Sequence, residues 1–419
     1  MEDDLASVSD YRSRPRYEVQ ELLMAVICMF LFKRGSRNNA DNSAGKLHYK
    51  SNVERLFSMA LPDLDTSNRL LQALPPEELE CIKQKMVAAL TVRKVLHRFR
   101  LLNLYHVVAI DGTGLHSYSH EPYPECPYRE YKAGRRVWTA YVLEAKIVCA
   151  NGFSISIATE WIRNPSSGEF EKQDCELKAF VRLAAKLKKF YPRLPICIAA
   201  DGLYPNQRVF DICESNGWKY ILTLKDGNLK SLWEEIHFLC RTNDHGCKEV
   251  PGRTPRFRIT NNYRFYRSLE YKKHSLNVVE LNIEKVDLLT AEVLPRERFV
   301  HVSNLDISED NCAHISNAGR MRWKIENEGF NEQKNTAYNL RHKYSRTSFN
   351  ASQNYYQCLQ IAHMINQVAY KAQSIIKLMG GHDTFKSFEE VAIALMLTSD
   401  FDNDILFDEL INRKCQFRY

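Results

Sequence analysis

Asp111 closes an apolar run, Val107-Val108-Ala109-Ile110, and is followed by Gly112. The same pattern returns at Ile196-Cys197-Ile198-Ala199-Ala200-Asp201-Gly202. Apolar runs of this length, bounded by a glycine turn, read as buried strands. Each carboxylate then stands on the last residue of its strand, at a sheet edge, where open α/β sheets carry their sites. Asp-Gly is also ordinary turn chemistry, so neither stretch decides the matter alone. A third carboxylate comes from a stretch of helical character, Arg322-Trp323-Lys324-Ile325-Glu326-Asn327-Glu328. Arg322 and Glu326 are four residues apart and share one helix face.

In this order and context, Asp111, Asp201 and Glu326 resemble the Asp-Asp-Glu triad of the transposases of bacterial insertion sequences. The helical segment resembles that family's Tyr-x2-Arg-x3-Glu-x6-Lys signature, with Arg322 and Glu326 in register. Gly319 stands where the tyrosine is expected and Gln333 where the lysine is. Lys334 comes one residue late, about 100° further around an α-helix, and so is not a simple replacement. The resemblance runs from about Tyr105 to about Tyr370. It implies an α/β fold with a ribonuclease H-like catalytic core, a mixed sheet flanked by helices. An all-helical N-terminal domain and a β-rich insertion before the third acid complete that plan. The implied function is a DNA transposase, cleaving double-stranded DNA at terminal inverted repeats and joining the ends to target DNA. A homodimer on paired DNA ends, in the bacterial cytoplasm and at the nucleoid, goes with it.

Three carboxylates brought together repel and raise one another's pKa unless something neutralises them. Hard oxygen donors suit Mg²⁺ or Mn²⁺. Two such ions about 4 Å apart can activate a water or a 3′-hydroxyl and stabilise the leaving oxygen at phosphorus. Asp111, Asp201 and Glu326 are therefore the expected catalytic residues and metal ligands. Arg322 either grips a phosphate or forms an i,i+4 ion pair with Glu326. Glu328 and Glu332 are neighbouring choices for the third acid, and the signature's register selects Glu326. Two other functions stay open: a transposase-derived DNA-binding protein without chemistry, and a metal-dependent nuclease without strand transfer.

The chain has 419 residues and a net charge of +7, which permits a polyanionic partner without requiring one. Its 12 cysteines include no Cys-x2-Cys pair, which suits reduced thiols rather than a secreted disulfide framework. The apolar run Leu22–Phe32 is too short to span a bilayer, and the chain is expected to be soluble. Residues 1–100 read as a helical, DNA-binding domain. Its last helix opens at Pro75-Pro76, keeps Leu79, Ile82, Met86 and Ala89 on one face, and carries Lys83, Lys85, Arg93 and Lys94. Arg93 and Lys94 are its expected DNA contacts, against the plainer reading of a solvated basic face.

Residues 101–227 form the first part of the core, with the element order βββαβαβ. The insertion, 228–305, shows strand-like stretches at Arg256–Thr260, Tyr263–Tyr271, Leu276–Val286 and Arg298–Val302. Arg256, Arg258, Arg264 and Arg267 alternate there with Phe257, Tyr263, Phe265 and Tyr266, a pattern suited to phosphates and bases. Arg322 and Lys334 join these as expected DNA-binding residues. Within the same insertion, His237, Cys240, His245 and Cys247 are zinc-ligand types in a spacing that matches no closed knuckle. Residues 306–349 carry the acidic helix, from about Ala313 to Lys334. Residues 350–419 are read as helices packed on the core, with a long one over Asn350–Leu378, a break at Gly380-Gly381 and an acidic cluster from Asp400 to Glu409.

Overall fold

The computed structural model describes residues 1–46, 48–164, 174–372 and 385–400. Six helices open the chain: α1 (Glu2–Ala6), α2 (Val19–Leu31), α3 (Arg37–Ala44), α4 (Tyr49–Phe57), α5 (Leu64–Ala73) and α6 (Pro76–Val92). Helix α2 is apolar around most of its circumference and is accordingly buried from Leu22 to Phe30. Asp63 caps α5 by accepting from the Thr66 amide at 2.8 Å, and Glu77 and Glu78 sit in the first turn of α6 beside the positive end of its dipole.

The centre of the molecule is one mixed sheet. Its elements are β1 (His106–Tyr118), β2 (Tyr128–Glu130), β3 (Arg136–Val148), β4 (Ser154–Ile162), α7 (Glu176–Phe190), β5 (Ile196–Ala200), α8 (Gln207–Ser215), β6 (Lys219–Thr223), α9 (Lys230–Arg241), β7 (Gly246–Arg253), β8 (Phe257–Tyr271), β9 (His274–Asp287) and β10 (Glu297–Ser303). The strand order is β2-β3-β1-β5-β6-β10-β9-β8-β7, with β4 also paired to β3. Strands β1, β5 and β6 run parallel, and β3 and β10 flank them antiparallel. The β-rich insertion is thus a continuation of the central sheet. The basic stretches at Arg256–Thr260 and Tyr263–Tyr271 are one strand, β8, with a single irregularity between Tyr266 and Leu269.

Strand alternation sorts the core into two layers. Val107, Ala109, Cys197 and Ala199 pack toward the N-terminal helices and α12 (Phe349–Tyr370). Val108, Ile110, Ile198 and Ala200 face α7 and α8. Helix α12 lies against α2, α5, α6 and β4. A buried polar cluster ties these layers together. Glu144 accepts from Thr159 Oγ1 at 3.0 Å, from the Tyr356 hydroxyl at 2.8 Å and from Ser156. Lys83 Nζ donates to Thr159 Oγ1 at 2.7 Å and lies 3.8 Å from Glu144. Lys83 is therefore interior, which corrects its place on an exposed basic face.

Two further expectations are corrected. Asp111 is not the last residue of its strand, since β1 continues through Gly112 to Tyr118. The acidic stretch is not one helix either: α10 (Cys312–Arg320) ends, a π-helix spans Ile325–Asn331, and α11 (Glu332–Asn335) follows. Helix α12 begins at Phe349, and its expected extension over 373–378, the Gly380-Gly381 break and the acidic cluster beyond Asp400 lie outside the described residues. Helix α13 (Phe385–Thr398) is fastened to α4 by Asn52, which donates to the Met396 and Ser399 carbonyls at 3.1 and 2.7 Å.

Candidate active site

Asp201 follows Asp111 by 90 residues (201 − 111), and 90 is also the register offset between β1 and β5, as in Val107 opposite Cys197 and Ala109 opposite Ala199. Asp201 lies one residue past the end of β5, in line with Asp111 if that register is extended by two residues. Asp111 shares the parity of Val107 and Ala109, so it belongs to the face of β1 that the π-helix covers. The Asp201 carboxylate also accepts from the Leu203 amide at 2.8 Å, so turn chemistry and presentation at a sheet edge hold together at this residue.

Glu326 lies in the first turn of the π-helix, which packs on β1. Burial pushes the Asp111 carboxyl up to about 6, against the pull of Arg322, and the negative charges of Glu176 and Glu326 push the same way as burial. Asp111 and Glu326 are thus electrostatic neighbours although 215 residues (326 − 111) separate them. Arg322 Nη1 lies 3.3 Å from Asp111 Oδ2, so its ion pair crosses to β1 instead of running along the helix to Glu326. Its guanidinium also lies over the Trp323 ring, 4.5 Å from the centroid. Asp201 has a cation of its own, with Lys225 Nζ 3.6 Å away.

The π-helix changes what the late lysine means. Seven residues make about two α-helical turns, so a regular helix would bring residue 333 back over Glu326. A π turn takes in one extra residue, and a π-helix separates Glu326 from Lys334. Gln333 points inward and exchanges two 3.0 Å hydrogen bonds with Gln360. Lys334 is half-buried. Burial lowers its pKa, while the charges of Glu326 and Asp111 act to raise it. The angle of about 100° expected of a regular helix therefore does not apply between Gln333 and Lys334 and the start of the π-helix.

Gly319 is closely covered by a neighbouring ring. A Cβ on Gly319 would lie 2.5 Å from the His301 ring, so that ring fills the space over residue 319. His301 is buried on β10, and burial pushes its pKa down to about 4. A groove of about 590 Å³ opens beside these groups, between Asp201, Lys225, Arg298, Arg320, Arg322 and the half-exposed Trp323.

A fourth carboxylate enters from the opposite helix layer. Glu176, the first residue of α7, accepts from the Tyr141 hydroxyl at 3.1 Å and from the Tyr204 hydroxyl at 3.4 Å. Its carboxyl overlies Gly112, where a Cβ would fall 2.7 Å from Oε1. Burial raises the Glu176 pKa, the two phenols oppose that, and the Asp201 charge adds to it. Nothing in the sequence separates Glu176 from an ordinary first-turn acid on an amphipathic helix. Only the folded topology brings it to Gly112.

The other expected residues lie elsewhere. Strand β8 is four strands from β5, about 19 Å across the sheet. Arg256 is taken up by Asp287 at 2.8 Å, whereas Arg258, Arg264 and Arg267 are exposed. Arg93 and Lys94 are exposed just past the end of α6, which packs on β4 at the other side of the sheet. His237 lies beside the Trp233 ring, Cys240 contacts Arg264, and Cys247 is exposed on β7. His363 is a buried histidine 3.3 Å from Glu332, and His116 Nδ1 lies 3.2 Å from the Arg341 carbonyl. Among the described residues, no group of three or more His, Cys, Asp or Glu side chains is arranged to hold a metal ion. Among them, too, no helix is long and apolar enough to cross a membrane.

Comparison with known proteins finds no family model that matches the chain and no curated protein that matches its sequence.

Proposed function

We propose that the chain is a DNA transposase of the Asp-Asp-Glu class, built on a ribonuclease H-like core and acting through Asp111, Asp201 and Glu326. The observation that carries this reading is Asp111 on β1 and Asp201 one residue past the end of the adjacent parallel strand β5, with the Glu326 charge acting on Asp111. The strand order β3-β1-β5-β6, with β1 central, supports the core assignment.

The donor set is all carboxylate oxygen, which fits Mg²⁺ or Mn²⁺ and not a softer ion. Asp111, Asp201 and Glu326 would hold up to two such ions, which supply activation of the attacking oxygen and stabilisation of the leaving one. The chain's own residues do the remaining work. Arg322 and Lys225 now neutralise Asp111 and Asp201, and both are free to pass to phosphates once a cation takes over the carboxylates. Lys334 adds a positive charge on the same side. The basic groove between Lys225 and Trp323 would lead a DNA strand past Asp201. Arg258, Arg264 and Arg267, exposed on the extended sheet, bind duplex further out, as do Arg93 and Lys94. The partners are the element's terminal inverted repeats and target DNA, joined by a homodimer on the paired ends.

The same two ion pairs favour a second reading, a transposase-derived protein that binds DNA without cutting it. The test is to incubate the chain with Mg²⁺ or Mn²⁺ and a duplex containing the DNA that flanks its coding sequence. A transposase leaves 3′-hydroxyl ends at inverted repeats. Tight binding with no cleavage in either metal overturns this reading in favour of the second.

A further inference from the structure

Two acid-free stretches meet at the end of the sheet where β1 and β5 begin. No Asp or Glu occurs between Glu80 and Asp111, or between Glu176 and Asp201. The stretches join where the His106 amide donates to the Pro195 carbonyl at 2.8 Å, as β1 and β5 start side by side. Along the helices that lead there, the earlier cations are matched by carboxylates. On α6, Lys83 lies 3.8 Å from Glu144 and Lys85 3.0 Å from Asp4; on α7, Arg182 and Lys186 both pair with Glu160. Toward the helix ends the matching stops. Arg93, Lys94, Arg98, Lys189 and Arg193 are exposed, and among the described residues no carboxylate pairs with Arg93, Lys94, Lys189 or Arg193. The helix dipole accounts for Lys189, in the last turn of α7, but not for Arg98 or Arg193, which lie beyond α6 and α7. Burial and then the charges of Arg100 and Lys94 lower the His97 pKa, and burial, Arg100 and His97 push His106 down to about 4. Like charge gathered in this way repels itself and draws a polyanion. The candidate active site is at the other end of these strands, with Asp111 five residues (111 − 106) along β1 from His106, about 17 Å.

We propose that this end of the sheet is a second surface for double-stranded DNA, separate from the groove beside Asp201, so that one copy of the chain holds two duplexes at once. Arg98 and Arg193, one from each stretch, are its central phosphate contacts. A phosphate backbone suits this end better than a lipid surface, because among the described residues only Val92 and Leu104 add large exposed apolar side chains to it. The inference rests on the proposed function for the identity of the polyanion, and needs neither a metal ion nor cleavage.

The test immobilises one duplex, captures the full chain on it in chelator so that nothing is cut, and measures retention of a second, fluorescent duplex. Wild-type protein should retain it. Arg98→Glu/Arg193→Glu should lower that retention at least about tenfold while the first duplex still captures the protein. It should also flatten the log–log salt slope of retention by up to about 1.8, about 0.9 for each of two phosphate contacts. Thermal unfolding checks the fold, and Lys189→Glu/Arg193→Glu serves if the first variant unfolds. The inference is overturned if the folded variants retain the second duplex as the wild type does, the result expected of a dimer that bridges through its two candidate sites alone. It is also overturned if capture by the first duplex falls equally, or if this end takes phosphatidylserine vesicles and no duplex. Failure of the proposed function shows separately, as wild-type protein that holds two duplexes but cuts neither in Mg²⁺.

Discussion

Gly319 and His301 form the sharpest steric statement in the site. A methyl group at residue 319 would lie 2.5 Å from His301 Cδ2, 2.6 Å from Nε2 and 2.9 Å from Cγ. Comfortable carbon contacts begin near 3.5 Å, so the ring would have to retreat by about 1 Å. It has little freedom to do so. His301 is 3 % exposed, and its strand is locked between β6 and β9. Gly319→Ala should therefore cost about 1–3 kcal/mol, the usual range for overpacking a filled interior. His301→Ala removes the obstacle at the expense of a cavity, and in the double variant the new methyl group enters that cavity. The double variant should then be more stable than the sum of the single effects by about 1–2 kcal/mol, well outside the ~0.5 kcal/mol scatter of independent sites. Urea unfolding of the four proteins measures this cycle. Additive effects would refute the idea that the His301 ring fills the space over Gly319.

Burial holds the Lys146 pKa down to about 8, opposed by Glu144 and assisted by Lys83. Because the folded chain releases this proton first, the unfolded chain binds more protons between pH 8 and 10.5, and stability from this group rises with pH there. Relative to Lys146→Met, the wild type should thus gain up to about 3 kcal/mol between pH 7 and 10.5 in denaturant titrations, and a flat difference would contradict the buried cation. Tyr356→Phe removes a donor to buried Glu144 and should destabilise by about 1–3 kcal/mol, measured by thermal unfolding. In salt titrations of duplex binding, Arg258→Ala and Arg264→Ala should each flatten the log–log slope by up to ~0.9, while Arg256→Ala, already paired with Asp287, should leave it nearly unchanged.

Strong, continuous patterns carried the most information. The runs before Asp111 and Asp201 are apolar because both faces of β1 and β5 are covered, and such strands stand out in a sequence. Strand β7 did not stand out: it alternates between half-buried and exposed residues, contains Pro251 and Gly252, and lies at the sheet edge, where neither is excluded. The extent of β1 was hidden by Gly112, which reads as a turn but serves close packing against Glu176. Lys83 was misjudged because its partner Glu144 is 61 residues away (144 − 83) and on another element. The π-helix left no local mark, although the one-residue delay of Lys334 after Glu326 is its trace. Glu176 shows the general limit: its neighbours, Gly112, Tyr141 and Tyr204, are set by sheet register and helix placement, which no short window contains.

The most direct measurement of the central claim is single-turnover cleavage of a duplex bearing the inverted repeat that flanks the coding sequence, with Mg²⁺ supplied or chelated. Wild-type protein should release a 3′-hydroxyl end at the repeat boundary only with metal present. Asp111→Asn, Asp201→Asn and Glu326→Gln should each bind the duplex and each lower the cleavage rate by at least about a thousandfold, roughly 4 kcal/mol of barrier. Cleavage at the wild-type rate by any one of the three, or undiminished cleavage in chelator, would contradict a metal-dependent triad.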